Sequence, residues 1–111
     1  MNLAKKFNDE YVFYKCNGNG NSFIILVNPP KCLPSSQIQS ICKNTDNGFV
    51  DGLIFLNTDE SVPIMDYYNN DGTWETLCIN GLRCVALLLN KKLCEGKNTG
   101  EIKCNNHNYP F

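Results

Sequence analysis

No uninterrupted apolar run in the 111 residues approaches the roughly 20 needed to cross a bilayer as a helix, so a membrane-spanning bundle is excluded. The opening stretch, Met1 to Glu10, lacks the apolar segment of a signal peptide, and the expectation is a cytoplasmic protein with no membrane partner. An excess of charge of one sign is missing too. Ten Lys and Arg against eleven Asp and Glu leave a net −1, and nucleic acid, which selects a basic face, is not an expected partner. Arginine occurs once, at Arg83, while asparagine occurs seventeen times. A+T-rich codon usage produces that skew, and it carries no chemical meaning. The single histidine, His107, sits in a polar stretch and reads as a solvated side chain rather than a base.

Cysteine, by contrast, is plentiful: residues 16, 32, 42, 78, 84, 94 and 104. An odd count without an export signal argues against a disulfide scaffold, and no pair forms a C-x-x-C. Cys104-Asn105-Asn106-His107 is the nearest thing to a metal fragment, yet it lacks a second spaced pair, so no metal is expected. Most of the seven should be reduced thiols acting as small hydrophobes. With 42% hydrophobic and 19% charged residues, the chain can bury a core as one ordinary domain over 1–111.

Turn residues divide the chain into short elements. Tyr11 to Lys15 has strand composition, Asn17 to Asn21 must turn, and Ser22 to Val27 resumes as a strand. Pro29-Pro30 stops it. Pro34 to Cys42 reads as a short helix, with Leu33, Ile38, Ile41 and Cys42 at helical spacing. Phe49 to Leu56 and Pro63 to Asn69 read as strands, and Asn70-Asp71-Gly72 is a hairpin-type turn. Trp74 reads as a core or edge aromatic. The Asn17-to-Asn21 loop could cradle a phosphate, but no Lys-Ser/Thr follows it.

From Leu82 to Leu89 every residue except Arg83 is apolar, which predicts a helix surrounded on all sides. Lys91 and Lys92 at its end favour the dipole, and Gly96 lies just beyond. The architecture expected is α+β, a mixed or antiparallel sheet curled around one central buried helix. Leu82, Val85, Ala86, Leu88 and Leu89 should then be nearly inaccessible, and Cys84 should pack in the core. Cys78 would stand immediately before the first turn. Free N–H groups and partial positive charge there stabilise a thiolate and can also bind a carboxylate. A thiolate beside a carboxylate receptor is what proton abstraction next to a carboxyl group requires. From position alone, the alternative reading is one buried cysteine among seven.

The wider pattern bears on that choice. Asn69-Asn70-Asp71-Gly72-Thr73 followed by Cys78-Ile79-Asn80-Gly81-Leu82-Arg83-Cys84 resembles the N-A-D-G-S and C-G-N-G-x-R-C signature of diaminopimelate epimerase. Phe13-Tyr14-Lys15-Cys16-Asn17-Gly18-Asn19-Gly20-Asn21-Ser22-Phe23 is similar to that family's F-x-K-M-x-G-x-G-N-D-F. Asn47-Gly48-Phe49-Val50-Asp51-Gly52-Leu53-Ile54 looks like a worn G-x-G-A-D-G-L-I. The match runs from about residue 11 to residue 96 and corresponds to the family's N-terminal half. Residues 105–111 match nothing and read as a tail.

The resemblance implies a cofactor-independent epimerase of lysine and peptidoglycan-precursor synthesis, interconverting LL- and meso-diaminopimelate. In that family each half is a sheet wrapped around a helix. Two thiols, one per half, face opposite sides of the substrate α-carbon. Cys78 matches the N-terminal member of that pair. Asn21 and Asn69 match positions that hydrogen-bond the substrate, while Ile79, Asn80 and Gly81 match the helix start that holds a substrate carboxylate. Ile79 departs from the family's glycine, Ser22 from an aspartate, and Asn17 from a frequent histidine. No second cysteine block follows Cys104. The second thiol would come from a C-terminal half or from a homodimer. A non-catalytic remnant that binds an amino acid, or a racemase for another amino acid, are the alternatives.

Overall fold

The structure, a computed structural model, describes residues 5–7, 11–18, 20–29, 33–43, 48–59, 61–90 and 100–111. Lys91, Lys92 and Gly96, expected at the helix end, lie outside the described residues, as do Cys32 and Cys94. The elements in chain order are strands β1 (Lys5–Phe7), β2 (Tyr11–Gly18) and β3 (Asn21–Val27), helix α1 (Ser35–Lys43), strands β4 (Gly52–Asn57), β5 (Ile64–Asn69) and β6 (Trp74–Glu75), helix α2 (Ile79–Leu88), and strands β7 (Glu101–Cys104) and β8 (His107–Pro110). The eight strands among the described residues join one mixed sheet in the order β1-β2-β3-β4-β5-β7-β8, with β6 pairing on β5.

Two neighbouring pairs are parallel, β3 with β4 and β5 with β7. Each needs a crossover, supplied by α1 and by α2 respectively. Such crossovers are right-handed in nearly every protein. Since β4 and β5 are antiparallel, the second crossover starts from a strand of reversed direction, so right-handedness places α2 on the opposite face from α1. The side chains agree. Phe23, Ile25, Ile54, Leu56, Met65 and Tyr67 pack with Cys84, Val85 and Leu88 of α2. Their alternate neighbours Ile24, Leu26, Leu53 and Phe55 pack with Ile38 and Cys42 of α1. Covered on both faces, β3 and β4 are near-continuous apolar runs rather than alternating ones.

The burial of α2 corrects the expectation of a helix inaccessible on all sides. Val85, Leu88 and Leu89 are fully buried, but Leu82 and Ala86 are only half-buried. Ile79 (53% exposed), Arg83 and Leu87 (40% exposed) face outward at four-residue intervals. A helix lying on one face of a sheet buries the stripe that meets the sheet, and α1 packs on the other face. Cys84 packs in the core as expected.

The supposed tail is part of the sheet. Cys104 pairs with His107 across a two-residue turn in which Asn105 and Asn106 both have positive φ, 50° and 65°. That is the backbone a tight hairpin demands and asparagine tolerates. Gly100 and Phe111 exchange two 2.8 Å backbone bonds and close the hairpin's open end. Trp74 lies on the short edge strand β6, its indole N–H donating to Asp66 Oδ1 at 3.4 Å. His107 is exposed. No helix among the described residues is long and apolar enough to cross a membrane.

One-sided burial of α2 has a measurable consequence. Leu88→Ala should cost about 2–5 kcal/mol in urea unfolding and Leu87→Ala less than about 1 kcal/mol. Equal losses at the two positions would contradict the description of α2.

Candidate active site at the start of helix α2

One end of the sheet gathers the start of β3, the start of β4 and the end of β5, because Phe23 pairs with Gly52 and Gly52 with Asn69. The N-terminus of α2 lies over that end. Its first turn approaches β4 so closely that a Cβ on Gly81 would come within 2.9 Å of Ile54 Cδ1. A side chain there would have to displace the end of Ile54, which the glycine avoids.

Cys78 caps the helix in an extended conformation (φ −126°, ψ 111°), which lets its side chain fold back over the first turn. Its Sγ accepts from the Gly81 N–H at 3.4 Å, and its carbonyl accepts from Leu82 N at 2.8 Å. The N–H groups of Ile79 and Asn80 belong to the same first turn, where helix geometry provides no intrahelical acceptor. Asn80 donates from Nδ2 to Asn21 Oδ1 at 2.6 Å, tying the helix start to the start of β3 across 59 residues of sequence. Cys78, Ile79, Asn80, Gly81 and Asn21 are therefore brought together. Ile79 turns its side chain to solvent rather than into the space beside Cys78 and Gly81.

Asn69 lies at the same end of the sheet but bonds to other residues. Its Nδ2 donates to Thr73 Oγ1 at 3.1 Å and to Glu75 Oε1 at 3.0 Å, which engages the amide nitrogen and leaves Oδ1 as the remaining acceptor. The turn beyond it is held from several sides. Gly72, at φ +91°, fits where a Cβ would meet the Ser35 backbone at 2.8 Å. Gln39 donates to the Asp71 carbonyl at 2.6 Å, and Asn70 N to the Asp51 carbonyl at 3.1 Å. The Thr73 hydroxyl and amide, 2.6 and 2.9 Å from Asp71 Oδ1, hold the Asp71 carboxyl below its ordinary value.

Two residues given no role from sequence shape this site. Asp51 Oδ2 accepts from Ser22 N at 2.8 Å and Ser22 Oγ at 3.4 Å, fixing the strand start next to Asn21. Its signal was the Asp51-Gly52 pair inside the middle family-like block. Tyr67 is buried edge-on against Phe23, 5.8 Å between ring centres, and its ring and hydroxyl occupy the space a Cβ on Gly52 would need. Burial above all, then the nearness of Cys78 and Asp51, pushes its hydroxyl well above the usual phenol value.

The other described cysteines, 16, 42, 84 and 104, are free buried thiols. Burial pushes the Cys42 thiol up to about 11. Cys84, facing Cys16 in the core, is also held well above the ordinary thiol range. Among the described residues, no three His, Cys, Asp or Glu side chains group as metal ligands.

The fold belongs to a class seen in solved structures. A phenazine biosynthesis protein of the PhzF family from Enterococcus faecalis superposes with a TM-score of 0.68 at 15% identity, covering 90% of this chain and 39% of that one. A PhzC/PhzF protein from Clostridium difficile gives a TM-score of 0.63 at 11% identity, covering 82% and 33%. At such identities the likeness is one of fold.

In sequence the chain is similar to diaminopimelate epimerases. It is 40% identical over 82 residues to that of Flavobacterium psychrophilum, covering 70% of this chain and 32% of the relative. It is 37% identical over 95 residues to that of Thermosynechococcus vestitus, covering 81% and 32%. With that of Helicobacter pylori it shares 32% over 88 residues, covering 78% and 32%. The chain thus spans about a third of the length of the curated relatives it matches. No family model matches it.

Exposure separates the thiols chemically. In native protein treated with iodoacetamide, Cys78, half-buried at a helix start, should be alkylated before Cys16, Cys42, Cys84 and Cys104. Because the raised value keeps Cys42 protonated until the pH nears 11, its labelling should remain slow through neutral and mildly alkaline conditions. Peptide mapping that finds Cys42 or Cys84 labelled as fast as Cys78 would refute this order.

Proposed function

We propose that the chain is the N-terminal half-site of a diaminopimelate epimerase, a single cytoplasmic domain over 1–111 acting on a small amino acid without a cofactor. The observation that carries the reading is the cluster at the start of α2: Cys78 Sγ accepting from the Gly81 N–H, beside the Asn80–Asn21 bond. Sequence similarity to enzymes named diaminopimelate epimerase supports the substrate class, and a place in lysine and peptidoglycan-precursor synthesis is proposed with it.

The proposed chemistry uses that cluster. The Cys78 thiolate takes the α-proton, forming an S–H bond as the C–H bond breaks, and the electron pair left on carbon spreads into the adjacent carboxylate. That charge is stabilised by the N–H groups of Ile79 and Asn80 and by the partial positive charge of the helix start. Gly81, whose N–H faces Sγ, steadies the thiolate. Asn21 and Asn80 form a polar wall, and Asn69 Oδ1 accepts from a substrate ammonium group. Inversion needs a second proton delivered to the opposite face of the α-carbon. Cys78 covers one face only, so the opposing thiol comes from a C-terminal half or from a second copy of the chain.

The test is isotope exchange. With LL-diaminopimelate in deuterated water, the chain alone should incorporate α-deuterium with retention of configuration and form little meso product. Cys78→Ala should lower that exchange by about a thousandfold or more, as loss of a reacting group does. Meso product formed by the chain alone at about 10 per second, an ordinary enzymatic rate, would contradict the half-site reading. Absence of both exchange and binding would favour a remnant that has kept the fold without the chemistry. Exchange of another amino acid in preference to diaminopimelate would favour a related racemase.

A further inference from the structure

We propose that Cys104 is a positioning residue for Cys78 and acts through the Thr76 carbonyl, an inference that rests on Cys78 being the proton-transfer group. Cys104 Sγ donates to Thr76 O at 3.4 Å across 28 residues of sequence. Thr76 and Leu77 are the whole link between β6 and Cys78. Thr76 exposes its side chain, yet its carbonyl accepts from a thiol that is 1% exposed. The Thr76 carbonyl thus takes its donor from the buried strand β7.

The donor is rigidly mounted. Strand β7 runs parallel to β5 with Cys104 opposite Met65 and Lys103 opposite Ile64, and Lys103 N donates to the Pro63 carbonyl at 2.8 Å. The β7–β8 turn at Asn105–Asn106 and the Gly100–Phe111 pair close both ends of the hairpin. Burial, with Asp66 and Cys78 nearby, holds the Cys104 thiol above its ordinary value, so at neutral pH it keeps the proton it donates. Cys78 is thereby fixed from two sides. The Thr76 carbonyl anchors the approach to the helix, and the Gly81 N–H meets Sγ from within it. Rotating the link to move Sγ would break one of the two bonds. The C-terminal hairpin, which matches no motif in the sequence, acquires a task in this arrangement: it reaches the reacting thiol through two backbone steps.

The experiment measures the rate of Cys78 alkylation by iodoacetamide in the full chain, by peptide mapping. Cys104→Ala should slow Cys78 by about five- to tenfold, while Cys104→Ser, whose hydroxyl donates to the same carbonyl, should stay within about twofold of the unaltered protein. Ile102→Val trims the same buried strand without touching the donor and should leave the rate unchanged. An unchanged rate in Cys104→Ala, a Cys104→Ser variant as slow as Cys104→Ala, or equal slowing by Ile102→Val would each overturn the proposal. Should Cys104→Ala not fold, the other two carry the test: both at the unaltered rate support it, and a drop in either overturns it. Alkylation needs no amino-acid substrate, so a failed anchor and a failed epimerase reading are distinguishable.

Discussion

A Cβ on Gly81 would come within 2.9 Å of Ile54 Cδ1, and this close approach of helix to strand sets where Cys78 stands. With α2 seated on β4 at that point, Cys78 stands at the end of the sheet where β3 and β4 begin and β5 ends. Asn80 can then reach Asn21, and the first-turn N–H groups open onto the same region. A larger residue at 81 would have to displace the end of Ile54 to keep the helix start this close to the sheet.

Topology explains why that place is available. Reversal of strand direction between β4 and β5 sends the two crossover helices to opposite faces. The α1 face serves the site indirectly: Ser35 and Gln39 hold the turn that follows Asn69. The α2 face carries Cys78 and the helix start tied to Asn21. Its outward stripe of Ile79, Arg83 and Leu87 lies away from the residues that pack on the sheet.

Local pattern made much of this legible. The strand at Ser22–Val27, the helix at Pro34–Cys42 and the turn at Asn70–Gly72 lie within a residue or so of β3, α1 and the observed turn, because turn chemistry and period act over short distances. Phe49, read as strand, is exposed and precedes β4 by three residues, since pairing with β3 begins only at Gly52. The polar run Asn105–Asn108 concealed a hairpin whose turn signal was the Asn-Asn pair. All-round apolarity of α2 misled for a different reason: composition reports what a helix could bury, and only its neighbours decide what it does bury. The helix after Cys78 was readable from its apolar run, while Cys78 itself was singled out by the family resemblance rather than by its position. The Asn21–Asn80, Ser22–Asp51 and Thr76–Cys104 contacts were not, because each joins residues far apart in the chain.

The central claim is that the start of α2 is a receptor for an amino-acid carboxylate with a thiol beside it. Backbone and side-chain amide shifts recorded by nuclear magnetic resonance during titration with diaminopimelate test it most directly. The account predicts that the largest shifts fall on the amides of Ile79, Asn80 and Gly81 and the side chain of Asn21, with α1 residues such as Ile38 unmoved. Shifts centred elsewhere, or none at ligand levels that saturate ordinary amino-acid sites, would contradict it.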